Sequence, residues 1–490
     1  MARQHKAGIA RTQTALLPPT LEDDAGVDSV ARLIDEYVNG LDSRALGFVR
    51  SVPADTGRPG YAPDDLLRLY LYGYWNRLGG SRKLEVECRR NLELMWLMRQ
   101  LAPDHWTICA FRRANSELFR TLCAQFVEFL REARLVGGEE PIVAIDGSKF
   151  KACASKKSLV NAEQLAKQRQ KVEQQIADYL QELDEADRQD EGQVQPRAEQ
   201  IEAALEKLRK RNQKLERAQA ELVKIEEQTS KEGPARVGLT DPDCVMLTGK
   251  GETLAGYNVQ HAVDSQHKFI VAHEVTTCGN DHTSLEATAS QAQAALQAES
   301  MTAVADCGYM NGKQSQACEE KGITPVVPMA EVSNTKDSQL YSKSLFVYDK
   351  ASDTYRCPAG EILTRYKHDH TSETDYYWTT TCANCAQQAH CTKSQRRSIA
   401  RSWFADAAER AHDRARSEPR LMRLRSATAE HPFGNLKAML RGGFALRTLA
   451  KVKGEMALAV LTYNLKRTVS VLGMQQLIEC LRMRRVLNAV

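Results

Sequence analysis

VAIDGSKF, residues 143–150, sets the reading of the whole chain. Val143, Ala144 and Ile145 suit a strand interior, because β-branched and apolar side chains pack well on a pleated surface. Asp146-Gly147 on its own is a hairpin-turn pair. The stretch therefore reads two ways: Asp146 opens a turn, or the strand exists to hold a carboxylate at its tip. VADCG, residues 304–308, has the same build, an apolar run ending in Asp306 with a glycine two positions on. An acid at the end of a buried strand is costly unless something neutralises it, and a divalent metal does so. Mg2+ prefers hard oxygen ligands. Two such ions about 3.5–4 Å apart stabilise the attacking and leaving oxygens of an in-line phosphoryl displacement.

That chemistry asks for acids on neighbouring strands and one from a helix. ATAEHPFGNLKAMLR, residues 427–441, offers Glu430. Arg423, Glu430 and Lys437 lie seven apart, so a continuous helix puts them on one face with Arg441 close by. Pro432 disfavours helical geometry at His431 and predicts a helix start or kink there. An acid between bases suits a metal flanked by phosphates. An exposed salt-bridge face is the plainer reading of the same stripe. Asp264 and Asp281, which each end or follow a strand, are weaker candidates: each either supports the site from behind its acids or closes a turn, and the turn is the favoured reading.

Outward from these stretches the chain changes character several times. Residues 63–135 read as a compact helical domain whose first helix opens with Pro63 and two acids and stops at Gly79-Gly80. Arg82, Lys83, Arg89, Arg90, Arg112 and Arg113 fall near its helix starts. They form either a solvated basic face or a helix-turn-helix-like DNA reader. Residues 159–232 are long, charged and helical, with Ile201, Leu208, Leu215 and Leu222 recurring every seven positions, and a break at 190–196 predicts an antiparallel hairpin. GYNVQHAVDS and KFIVAHEVTT then read as two hairpin strands, followed by helix, strand, helix and the strand ITPVVPM. Residues 401–480 are helical. Without the two inserts, what remains is a mixed α/β sheet with helices packed on it.

Thirteen cysteines stand in the 490 residues. Nine (88, 109, 123, 153, 244, 278, 307, 318 and 480) are scattered and read as small buried apolar residues in a reducing cytosol. Cys357, Cys382, Cys385 and Cys391 cluster, and a C-x-x-C pair with two further thiols has the reach for one tetrahedral Zn2+. His390 is an alternative fourth ligand; unliganded thiols or a redox pair are the competing readings. The basic run 393–401 offers Arg396, Arg397 and Arg401 to DNA. A net charge of +4 is compatible with nucleic acid without arguing for it. No apolar run approaches the roughly 20 residues that cross a bilayer. The first twenty residues lack the apolar core of a secretory signal, so a cytoplasmic protein is expected.

VAIDGSKFKA, GYNVQHAVD, VADCGY, AEHPFGNLK and KVKGEMALAVLTYNLKR, in this order, resemble a bacterial insertion-sequence transposase of the DDE type. The group resembled is the insertion-sequence family numbered eleven-eighty-two. The stretch beginning GRPGYAPDDLL is similar to the amino-terminal domain of such transposases, and the likeness runs from about residue 45 to 470. The resemblance implies an RNase H-like core with Asp146, Asp306 and Glu430 as a triad holding two Mg2+ (or Mn2+) ions. It includes cysteines at the place where a structural Zn2+ is expected, and it implies binding of double-stranded DNA at the element's terminal inverted repeats, followed by cleavage and strand transfer. A homodimer or larger complex on DNA is expected. Around the last acid such transposases carry a Tyr-Arg-Glu-Lys signature: Glu430 and Lys437 match, the Arg falls at Arg423 or Arg425, and Leu421-Met422 stand where the Tyr would be.

The expected DNA contacts are Arg82, Lys83, Arg112, Arg113, Lys149, Lys151, Arg396, Arg397, Arg423, Arg425, Lys437 and Arg441, with Gly147 leaving room for the substrate backbone. The expected organisation is an N-terminal segment (1–60), a helical DNA-binding domain (61–138), an RNase H-like core (139–158 and 235–345), a helical-hairpin insert (159–234), a zinc-ribbon-like module (346–402) and C-terminal helices completing the core (403–490). A catalytically inactive, DNA-binding derivative and a plain metal-dependent nuclease are the alternative functions.

Overall fold

The computed structural model describes residues 20–488 apart from 54, 58, 189–194, 229–234, 250 and 331–339. The first nineteen residues, and most of the break predicted at 190–196, therefore lie outside the described residues. The chain divides into two compact units.

The first unit joins residues 1–123 to 435–446 and 450–490. Its helices are α1 (Val30–Asn39), α2 (Pro63–Trp75), α3 (Ser81–Glu87), α4 (Leu92–Leu97), α5 (His105–Ala114) and the start of α6 (Ser116–Glu132). Local chemistry sets their starts. Pro63 sits at the first turn of α2 with Asp64 and Asp65 behind it, and Asn91 and Asp104 cap α4 and α5 through their side chains. The apolar stretch AVLTYNLKR belongs to a helix that is buried almost throughout. Within it Gly454 has no side chain because a Cβ would lie 2.1 Å from the Ser116 carbonyl oxygen. Glu455 beside it is 1% exposed and fully engaged. It accepts from Arg112 Nη1 (2.8 Å) and from the backbone N–H groups of Ala445 and Leu446 (3.0 and 2.8 Å). The C-terminal helices were expected to complete the core of the catalytic sheet. From Asn435 onward they instead group with the N-terminal helices, leaving aside 447–449.

The second unit is built on a six-stranded sheet. Its first strand, β1, runs Ile142–Lys151. After β2 (Leu159–Val160), helices α7 (Ala162–Arg188) and α8 (Gln195–Gln228) and β3 (Val237–Gly238) come β4 (Val245–Gly249), β5 (Glu252–Asp264) and β6 (Ile270–Thr276). Helix α9 (Leu285–Leu296) leads to β7 (Met301–Val304), and α10 (Gly312–Glu320) to β8 (Ile323–Val326). The order is β4-β5-β1-β7-β8, with β6 also on β5; β5 pairs antiparallel with β1, β4 and β6, and β7 is parallel to β1 and β8. β4 had no counterpart in the sequence reading. The core holds Val143, Ile145, Tyr257, Val259, Ala303 and Val304.

In the charged hairpin, Leu165 and Val172 of α7 share a core with Leu222 and Leu215 of α8, so the two helices run antiparallel. β2 and β3 pair at its base. A second, five-stranded sheet comprises β9 (Val347–Asp349), β10 (Thr354–Arg356), β11 (Ile362–Asp369), β12 (Thr374–Trp378) and β13 (Ile399–Ser402), with the short α11 (Gln388–Cys391) between the last two. Helices α12 (Ala405–Ser417) and α13 (Pro419–Met439) follow, then α14 (Leu449–Leu472) and α15 (Met474–Asn488). Of the nine scattered cysteines only Cys88, Cys123, Cys244 and Cys318 are buried; Cys278 and Cys307 are exposed. Cys307 opens a turn that Asp306 caps, and it faces solvent rather than the core. Among the described residues no helix is long and apolar enough to cross a membrane.

Candidate active site

β1 does not stop at Asp146. It pairs with β5 from Val143 to Lys151, and Asp146 stands opposite His261 in that ladder. The residue is thus neither a turn opener nor a strand tip. What changes at this level is the other edge. β1 pairs with β7 only as far as Ala144 opposite Val304, and β7 ends there. Asp146 lies two residues beyond Ala144 and Asp306 two beyond Val304, so the register carries both acids to the same level past the last parallel pair. Asp306 then caps a single 3₁₀ turn, accepting from the Gly308 N–H at 2.9 Å.

One guanidinium spans both acids. Arg425 Nη2 of α13 is 3.2 Å from Asp146 Oδ1 and 3.3 Å from Asp306 Oδ2, and its Nε is buried without a partner among the described residues. Burial pushes the Asp146 carboxyl above its ordinary range, and the nearby charges of Asp306 and Asp281 add to this. Arg425 and the Gly147 N–H, which donates to Asp146 at 2.8 Å, pull the other way. The site is a set of acids with one cation among them.

Asp281 joins this set although its position had read as a turn. Its Oδ1 accepts from Asn258 Nδ2 at 2.7 Å and Gln260 Nε2 at 2.5 Å. Gly147 makes room for that carboxylate, since a Cβ there would lie 2.6 Å from Asp281 Oδ1. The signal available in the sequence was GYNVQH: two amides spaced by two in an otherwise apolar strand put both on one face. Asp264 does behave as a turn acid, accepting from the N–H groups of Gln266 and His267.

Glu430 stands apart from the two aspartates. It is exposed, and its Oε1 accepts from Ser426 Oγ at 3.2 Å. α13 runs unbroken through Pro432, so Arg425 and Glu430, five residues apart, point about 140° away from each other. Arg423, Glu430 and Lys437 form an exposed stripe, and of the two signature arginines it is Arg425 that faces the acids. Among the described residues no three His, Cys, Asp or Glu side chains stand together in a way that could hold a metal. Asp146 and Asp306 fit a hard cation as a converged pair of oxygen donors in need of positive charge; Glu430 does not reach it in this conformation.

The expected DNA contacts separate by burial. Arg112 is buried against Glu455 and Arg401 is buried between Asp406 and Glu409, so neither faces solvent, because each charge is needed by an internal acid. Arg397 lies over the Phe346 ring and donates to the Tyr341 carbonyl, and Arg441 donates to the Gly79 carbonyl. Lys149 donates to the Thr248 carbonyl. Arg82, Lys83, Arg113, Lys151, Arg396, Arg423 and Lys437 are exposed, with Arg396 stacked 4.1 Å over Trp378.

Cys357, Cys382, Cys385 and Cys391 line one small apolar pocket. Burial pushes the Cys391 thiol up, and the other three thiols act on it electrostatically. A tight turn links Cys382 to Cys385, whose N–H donates to the Cys382 carbonyl at 3.3 Å. The four cysteines share this pocket, but among the described residues they do not form a group that could hold a metal.

A family model described as a transposase domain (DUF772) matches residues 20–114, and one described as a transposase DDE domain matches residues 233–465. The chain belongs to the insertion-sequence DDE transposases. In this transposase Asp306 and Glu430 fall within the second match, whereas Asp146 precedes it. No protein of curated function matches the sequence. Among solved structures, a cryo-EM structure of the piggyBac transposase synaptic complex with hairpin DNA aligns with 92% of this chain and 76% of its own, at 10% identity and a TM-score of 0.28.

Proposed function

We propose that this transposase binds the inverted repeats ending its own insertion sequence, cleaves the DNA there and joins the freed 3′ ends to target DNA. The observation that carries the reading is the common level of Asp146 and Asp306 past the last parallel pair of β1 and β7. The strand order β6-β5-β1-β7-β8, antiparallel on one side of β1 and parallel on the other, supports an RNase H-like core. Asp146 and Asp306 would hold the divalent ions, with Glu430 joining from α13. Bound there, Mg2+ or Mn2+ supplies charge stabilisation to the phosphoryl oxygens.

The chain's own groups do the rest. Arg425 neutralises the acid pair in the metal-free protein, and once displaced it is placed to pair with a DNA phosphate. The exposed Arg82, Lys83, Arg113, Lys151, Arg396, Arg423 and Lys437 are the residues we assign to the DNA backbone. We assign the four-thiol pocket to a structural Zn2+, and we read the assembly on DNA as a dimer or larger, since two ends must be joined.

Asp146→Asn, Asp306→Asn and Glu430→Gln are each expected to lower Mg2+-dependent cleavage of end-containing DNA about a thousandfold, since each removes several kcal/mol of transition-state stabilisation. Gel-shift binding of the same DNA is expected to persist. A variant that still cleaves at the wild-type rate removes its residue from the set.

A further inference from the structure

Asp281 receives more from the fold than a turn acid needs. Two side chains of β5 donate to its Oδ1, Asn258 and Gln260, which are 1% and 0% exposed. The far end of the Gln260 amide accepts from the Tyr309 hydroxyl, and Tyr309 is wholly buried three residues after Asp306. On the other side Gly147, next to Asp146, stands opposite Gln260 in the ladder. A Cβ at position 147 would lie 2.6 Å from Asp281 Oδ1 and 2.7 Å from Gln260 Nε2. Asp281 thus connects β5, the strand bearing Asp146 and the turn bearing Asp306.

Geometry alone does not explain the charge. An asparagine carbonyl would satisfy the same two amide donors, and the Asp281 charge, one register level from Asp146, adds repulsion to it in the metal-free protein. That repulsion is relieved when a cation arrives, so a charge that costs stability without metal strengthens binding with it. With both amides committed to Oδ1, Asp281 is held as a neighbour of the acid pair. We infer that Asp281 is a positioning residue: it seats the strand of Asp146 and adds its negative charge to the affinity of the Asp146–Asp306 pair for a divalent cation, without ligating it.

The inference rests on the metal-binding reading above, and titration of the full chain with Mn2+ in the absence of DNA tests it, with melting temperature followed alongside. Wild type is expected to bind Mn2+ and Asp146→Asn to lose it. Asp281→Asn, which keeps an acceptor for the amides and drops the charge, is expected to bind about tenfold more weakly while melting, without metal, no lower than wild type. Gly147→Ala, which removes no charge, is expected to weaken binding as well by displacing the Asp281 carboxylate, and to add little in an Asp281→Ala background. Wild-type affinity in Asp281→Asn overturns the inference alone. If Asp281→Asn fails to fold, Gly147→Ala decides, and wild-type affinity there overturns it. A wild-type chain that binds no Mn2+ removes the metal site and this inference together.

Discussion

His261 faces Asp146 across the β1–β5 ladder, is 0% exposed, and has no partner for either ring nitrogen among the described residues. Its ring stacks on Phe433 of α13 at 4.5 Å. Burial, with His273 adding to it, holds the imidazole well below the ordinary histidine range. The unfolded chain takes up a proton near pH 6.5 that the native chain refuses, so stability falls as pH drops below about 6.5, by about 1.4 kcal/mol per unit. Urea midpoints between pH 7.5 and 5 are expected to show that slope as the difference between wild type and His261→Phe, which keeps the stack and removes the proton. Equal slopes refute it. Asp146 and Asp264, both pushed up by burial, act in the opposite sense and lose stability as pH rises, but they are common to both proteins. At this scale the sequence spoke clearly where an acid follows an apolar run, as at Asp146 and Asp306. For Asp281 it favoured the turn, because a loop acid looks the same whether its carboxylate faces water or two buried amides. Arg112 misled for the same reason: an internal partner 343 residues away leaves no local mark.

Elements were legible where one period dominates. The charged hairpin was readable from its seven-residue recurrence, and α14 from its apolar length. The strand around Asp146 was readable over about 141–153, but Asp-Gly also has the chemistry of a turn; β5 supplies a ladder partner for every residue from Val143 through Lys151, and tertiary pairing overrides the local preference. β4 was missed because its five residues sit among Gly, Lys and Thr. The five-stranded sheet makes a different point. Its own buried cluster is Phe346, Tyr355, Leu363, Tyr377 and Ile399, a small core for five strands, and Cys357 and Cys391 pack against it. So small a module ordinarily needs a staple. One zinc per chain is therefore expected by elemental analysis, and strong chelators or Cys385→Ser are expected to abolish the near-ultraviolet signal of Tyr355 and Tyr377. A zinc-free preparation with that signal intact refutes the staple.

For the molecule as a whole, the first unit is sewn together from both ends of the sequence, and Glu455 is one of its stitches. Glu455→Ala leaves Arg112 buried without a counter-charge and frees two backbone donors. It is expected to cost about 3–5 kcal/mol, read from chemical denaturation. A loss under about 1 kcal/mol would mean the loop finds other acceptors. The same arrangement has a consequence for synthesis. The 123 residues that begin the first unit leave the ribosome 311 residues before Asn435 (434 − 123), and the helices that complete it come later still. At about 5–20 residues per second that is a delay of roughly 15–60 seconds. During it the sheet carrying Asp146 and Asp306 can close while the first unit waits. A chain terminated early could therefore carry a finished pair of acids on an unfinished protein.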